Sequence, residues 1–213
     1  MNYKNISSSA SVKSTEGEVA GIIVNSHSSG TLKLNDGSSG TASAGVIASG
    51  TLTITDVFSD GEEIVIGDNT YTMKTALSTV PTANEVLIGA SGAVSLDNLK
   101  SAINGSAGEG TTYSYTTVKH PQVVATTNTD TTQVVEYFTL GTAGNSIATT
   151  TDGANASWGG ATLAGGVNKN ILLMNTYSFP TGSQVVEFPE PIVFDNGLYA
   201  TIGGTADITV IYR

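Results

Sequence analysis

The sequence predicts a mainly β fold: a split β-sandwich, jelly-roll-like, with an inserted small α+β domain that contains one short helix. Three observations predict it. Glycine supplies 25 of 213 residues and charged residues only 12%, a balance that, with abundant Thr, Ser and Ala, favours short strands and tight turns. Apolar residues mostly alternate with polar ones or form short runs, and only Leu96, Leu99 and Ile103 recur at the i, i+3, i+7 spacing of a helix. Finally, two stretches of small residues, 36–45 and 158–166, bracket the middle of the chain like domain boundaries.

Taken in order, VAGIIVN (19–25) and TLKLN (31–35) read as strands, with SHSSG (26–30) as the hairpin loop between them. After the first small-residue stretch, TLTITD (51–56) alternates Leu52 and Ile54 with threonines. A hairpin follows. Ile64, Val65 and Ile66 lead into the turn residues Gly67, Asp68 and Asn69, and the return strand puts Tyr71 and Met73 on one face. Ser95 is the expected helix N-cap and Gly105 the expected left-handed C-cap. Further strands are expected at 122–125, 133–140 and 146–150. Beyond the second small-residue stretch come strands at 171–179, 184–188, 192–194, 198–202 and 206–212, separated by PTGS (180–183), DNG (195–197) and GGT (203–205).

The N-terminal strands are too few to fold alone, since an isolated hairpin is marginal in water. Joined to the C-terminal strands they make a set of sandwich size. The expected domains are therefore residues 1–45 plus 169–213 as the sandwich and 46–168 as the insert. Charge divides unevenly between them. The insert carries eleven acids and three lysines, net −8, and the flanks seven acids and five bases, net −2. That asymmetry predicts a near-neutral sandwich that docks to a partner and an acidic insert that faces solvent; loss of docking on deleting the insert would overturn it.

Composition also excludes function classes. With no cysteine, disulfides, thiolate metal sites and cysteine nucleophiles are impossible. A net charge of −10 with eight scattered Lys and Arg opposes nucleic-acid binding. No apolar run approaches the roughly 20 residues of a membrane helix, so no membrane association and no export signal are expected. His27 and His120 have no orienting carboxylate or nucleophile at a telling spacing, so no enzyme, catalytic residue, cofactor or metal is expected. The densest acidic cluster, Asp56, Asp60, Glu62 and Glu63, reads as a solvated loop face rather than a weak calcium site. GGATLAGG (159–166) lacks the Lys-Ser/Thr ending of a phosphate loop. Trp158 reads as packing on the insert's edge.

Two patterns resemble known families. The insert, with YTMKTALSTVPTANEVLIGASGAVSLDNLKSAINGSAGEGTTY, VKHPQVVAT, LGTAGNSIATT and SWGGATLAGG, resembles a module recurrent in tailed-bacteriophage virion proteins. The flanks, NYKNISSSASVKSTEGEVAGIIVNSHSSGTLKLNDG and MNTYSFPTGSQVVEFPEPIVFDNGLYATIGGTADITVIYR, are similar to small β-sandwich phage proteins found with head genes. The resemblance implies a virion structural protein, foremost a capsid decoration protein. Such a protein would be made in the host bacterial cytoplasm and placed on the outer surface of the capsid. It would contact the major capsid protein as a homo-oligomer, with trimers at local three-fold positions. The expected contact regions are residues 3–9, led by Tyr3, and residues 179–192, including Pro189, Glu190 and Pro191. The alternative the resemblance leaves open is a tail or fibre component, including a receptor- or carbohydrate-binding tip, for which Tyr113, Tyr115 and Trp158 would supply aromatic platforms.

Overall fold

The computed structural model describes residues 1–213. Its strands are β1 (Asn2–Ile6), β2 (Ala10–Lys13), β3 (Gly17–Asp36), β4 (Ile47–Ile54), β5 (Glu63–Ile66), β6 (Asn69–Lys74) and β7 (Glu85–Leu87). The helix α1 (Gly92–Asn104) follows, then β8 (Val123–Asn128), β9 (Thr132–Leu140), β10 (Thr149–Thr151), β11 (Ala156–Trp158), β12 (Ile171–Ser178), β13 (Gln184–Phe194) and β14 (Leu198–Tyr212). The chain divides into two compact units, Met1–Gly45 with Asn168–Arg213, and Val46–Val167.

The first unit is organised around a ribbon of two long strands, β3 and β14, paired antiparallel from Asp36↔Leu198 to Val19↔Tyr212. Here the expected hairpin loop at 26–30 is corrected. Ser26, His27 and Ser28 stay in the ladder, opposite Asp207, Ala206 and Thr205. The expected turn at 203–205 likewise lies inside β14. The two locally weak segments face each other, and the register shifts between Gly203 and Thr205. Ser29 (φ 58) and Gly204 (φ +69) both take the left-handed conformation, and a Cβ on Gly204 would collide with the Ser29 carbonyl oxygen. A bulge thus absorbs the extra residue and bends the ribbon instead of breaking it. Pairing overrides loop-like composition.

Four strands flank the ribbon, β1 and β13 beside one half, β2 and β12 beside the other, in one six-stranded sheet. The segments 184–188 and 192–194 are one strand, β13, whose register jumps from Glu187↔Gly21 to Ile192↔Val19. Residues 188–191 protrude there, and prolines without an N–H are tolerated on such an edge bulge. Ile22, Val24, Leu32, Leu34, Ile208 and Val210 are fully buried. No helix covers them, and Ile6, Val12 and Phe194 from the flanking strands join the same cluster. The sheet therefore folds over itself into a sandwich-like unit whose two layers are halves of one sheet.

The second unit holds two four-stranded sheets, β10-β5-β6-β7 and β11-β4-β9-β8, where one small sheet was expected. The hairpin β5–β6 turns at Gly67-Asp68, with Ile66 opposite Asn69. Its Tyr71 and Met73 are fully buried beside Ile64 and Ile66. Helix α1 packs on β7, β8 and β9 through Leu96, Leu99, Ala102 and Ile103. Burying each large apolar side chain contributes roughly 1.5–3 kcal/mol. Its C-cap is Gly105 at φ 59, ψ 38, with Ser106 N–H closing on the Ser101 carbonyl at 2.9 Å. Its N-cap is Ser91, not Ser95. The Ser91 hydroxyl accepts from Val94 N–H, while Ser95 lies buried in the first turn, donating to the Ser91 carbonyl and accepting from Gly89 N–H.

The small-residue stretches are not free linkers. Leu163 is fully buried, and Thr162 and Ala164 bridge to Ala148 and Ser49. Within 36–45, Gly37 N–H bonds the Gly197 carbonyl and Ser43 pairs with Asn170. No helix is long and apolar enough to cross a membrane.

Candidate functional site

The register of the first unit aligns Tyr3 of β1, Ile211 of β14, Gly21 of β3 and Glu187 of β13 in one row across the sheet. Side chains in a row share a face. Three positions of the row carry side chains, and Gly21 leaves a notch between Ile211 and the 188–191 bulge. The Gly21 backbone approaches β13 so closely that a Cβ there would lie 2.8 Å from the Val186 carbonyl oxygen. The result is a groove of about 450 Å³, walled by Met1, Tyr3 and Ile211 on one side and by Phe188, Pro189 and Pro191 on the other. Met1 and Tyr3 are 72% and 63% exposed, and Val185 and Val193 of β13 add further exposed apolar surface to the same unit.

Sequence reasoning singled out both walls separately, Tyr3 in one contact region and Pro189-Glu190-Pro191 in the other. The structure brings them together. It also shows what the groove does not contain. Its charged groups are Glu187 and Arg213, and the Arg213 guanidinium is engaged by Glu18 at 2.6 Å. No histidine, serine, threonine or cysteine lines the groove. Beside it lies a polar ladder in which Asn5 and Asn25 amides donate to the Asp207 carboxylate at 2.6 and 3.0 Å. Those bonds, Asn25 first and then Asn5, hold the Asp207 carboxyl below its ordinary range.

In the second unit a smaller cleft, about 260 Å³, is lined by Leu77, Ser78, Thr79, Pro81, Ser114 and Tyr115. Tyr115 is 67% exposed. The other two aromatics expected beside it are elsewhere. Tyr113 is buried and its hydroxyl donates to the Ser106 carbonyl, and Trp158 packs on the core with its indole N–H on the Thr150 carbonyl. Beneath the cleft, Glu85 is buried and accepts from Ser78 N–H and Oγ at 2.9 and 2.6 Å.

The remaining singled-out residues are absorbed by the fold. His120 is buried and bridges strands: its Nε2 meets the Ile66 carbonyl at 3.0 Å, and Nδ1 accepts from Gln122 and Val123 N–H. That pattern requires the neutral ring with the proton on Nε2. Burial accordingly pushes its pKa below 6.5, against the opposing pull of the Ile66 carbonyl and Asp68. His27 lies in β3 with Nε2 on the Pro180 carbonyl and its ring edge against Phe179. The acidic cluster disperses into turn contacts. Asp56 accepts from Val57 N–H, Asp60 from Thr75 and Lys74, and Glu62 from Ser59 N–H. No three acidic or histidine side chains gather as a metal site.

No family model matches the chain, and no curated protein or solved structure matches it either.

Proposed function

We propose that this chain is a structural protein of a tailed-bacteriophage virion, a capsid decoration protein that binds the outer surface of the head shell and stabilises it. The resemblance of the insert and the flanks to phage virion proteins supports the class. The observation that carries the docking role is the groove of the first unit, an exposed, mainly apolar notch on a hydrogen-bonded sheet. Apolar patches of this kind, rimmed by polar groups, mark contact surfaces. The proposed partner is the major capsid protein, met by the chain as a homo-oligomer. Symmetry then repeats one modest contact over the shell, and multivalent attachment raises its effective strength.

Co-sedimentation of the purified chain with isolated head shells tests this reading. Saturable binding is expected, and Tyr3→Asp, at an exposed edge where folding is not at stake, is expected to weaken it by roughly 30-fold, the loss of a ~2 kcal/mol anchor. Unsaturable binding, or full binding by the variant, would overturn it. A second reading, a tail or fibre component with a carbohydrate-binding tip, is favoured by one observation, the exposed Tyr115 ring beside the hydroxyls of Ser78, Thr79 and Ser114. Binding of immobilised host glycans by the intact chain, lost in Tyr115→Ala, would select it over the first.

A further inference from the structure

The sequence contains two Asn-Gly pairs, Asn104-Gly105 and Asn196-Gly197; the fold hydrogen-bonds both asparagine amides but occupies the following glycine N–H only in the first. Asn104 ends α1 with its amide clamped to β8, Nδ2 donating to the Ala125 carbonyl at 2.8 Å and Oδ1 accepting from Ala125 N–H at 2.9 Å. The Gly105 N–H is also occupied, by the Ala102 carbonyl. Asn196 is exposed on the loop between β13 and β14, and Gly197 follows at φ +112, buried against the Lys13 and Ser14 backbone. The Gly197 carbonyl accepts from Gly37 N–H, yet its own N–H donates no hydrogen bond.

This loop is latched by one buried carboxylate. Asp36, 3% exposed at the end of β3, accepts from Asn196 N–H at 2.6 Å, from Asp195 N–H at 3.1 Å and from the Asn196 side-chain amide at 3.2 Å.

The geometry points to Asn196 as a site of spontaneous deamidation that unlatches the loop between β13 and β14. When the loop opens, the Gly197 nitrogen, with no side chain beside it, is deprotonated by hydroxide and attacks the Asn196 Cγ. The Cγ–Nδ2 bond breaks, and the nitrogen leaves as ammonia after taking a proton from water. One water then opens the succinimide. Addition at the side-chain carbonyl leaves aspartate, and addition at the main-chain carbonyl leaves isoaspartate with the backbone rerouted through Cγ. The net exchange is one water in and one ammonia out, with no redox change. Either product replaces the amide donor at Asp36 by a second carboxylate. Two carboxylates this close disfavour joint ionisation, and the Asp36 Oδ2 that loses the amide donor keeps only the Asp195 N–H. The Asp36 latch is thereby weakened in aged molecules, in the unit that bears the groove.

Incubation of the full chain in mildly alkaline buffer, with peptide mass spectrometry and isoaspartate labelling by a protein isoaspartyl methyltransferase, tests the chemistry. In the folded chain residue 196 is expected to convert at least roughly tenfold faster than residue 104, a barrier difference of about 1.4 kcal/mol, and in urea the two rates are expected to converge. An Asn196 that keeps its amide as long as Asn104 would overturn the site. For the consequence, Asn196→Asp is expected to lower the thermal transition of the first unit while Asn196→Gln, which cannot form the five-membered ring, survives the incubation unmodified. An unshifted transition in Asn196→Asp would overturn the unlatching.

Discussion

Asp36→Asn is the substitution whose outcome follows most directly from the geometry. Asparagine keeps one oxygen, which suits the 2.6 Å bond from Asn196 N–H, but it turns an NH₂ toward the other two donors, Asp195 N–H and the Asn196 amide. Donors then face a donor. A hydrogen bond to a charged acceptor contributes roughly 1.5–3 kcal/mol. Because Asp195 and Asn196 are exposed, water re-solvates them, and the loss of two bonds falls at the low end, about 2–3 kcal/mol. For a domain of this size, that lowers Tm by roughly 10–20 °C. The assay has a built-in control, since the only tryptophan, Trp158, lies in the second unit. Calorimetry and far-UV circular dichroism should show the first unit melting early, while the Trp158 fluorescence transition stays in place. A change under about 0.5 kcal/mol, or a matching shift in the Trp158 signal, would refute the assignment of Asp36 as the latch of its own unit.

Other perturbations give outcomes of known sign. Leu99→Ala removes a fully buried side chain from under α1 and is expected to cost 2–5 kcal/mol, seen as a lower urea midpoint of Trp158 fluorescence; a loss below about 1 kcal/mol would mean the helix is not docked as described. Gly105→Ala forces a Cβ into a left-handed C-cap at φ 59 and is expected to cost about 1–2 kcal/mol, with Gly105→Asn milder; equal costs would argue against the cap geometry. The folded pKa of His120 lies below its unfolded value of 6.5. Its contribution is therefore present above that value and lost as pH falls through the folded pKa, because the unfolded chain binds the proton first. Urea midpoints of the second unit should fall on acidification in the native chain and fall less in His120→Gln; identical profiles would contradict a buried neutral imidazole.

The parts of the fold legible in the sequence were those fixed by neighbours in the chain. The β5–β6 hairpin, the apolar stripe of α1 and its Gly105 cap all depend on residues within one or two turns of each other. What escaped was decided by distant partners. SHSSG at 26–30 has loop composition, but its backbone is satisfied by an equally loop-like stretch at 203–207, so two weak segments became one bulged ribbon. Ser95 looked like a cap because it opens the apolar repeat, yet Ser91 one turn earlier takes that role and Ser95 turns inward. The stretch at 159–166 pairs with the sheet edges of its own unit through Thr162 and Ala164. The groove was half visible: Tyr3 and the Pro-Glu-Pro segment each stood out, and only the register of β1, β14, β3 and β13 places them on one face. Nothing local marks Asp36 as a latch, because its donors arrive from the other end of the chain.

The docking role is tested most directly by labelling intact phage particles with gold-conjugated antibody against this chain and imaging them by electron microscopy. Decoration of the shell predicts gold spread over the whole head. Gold confined to the tail, or to a single vertex, would contradict it.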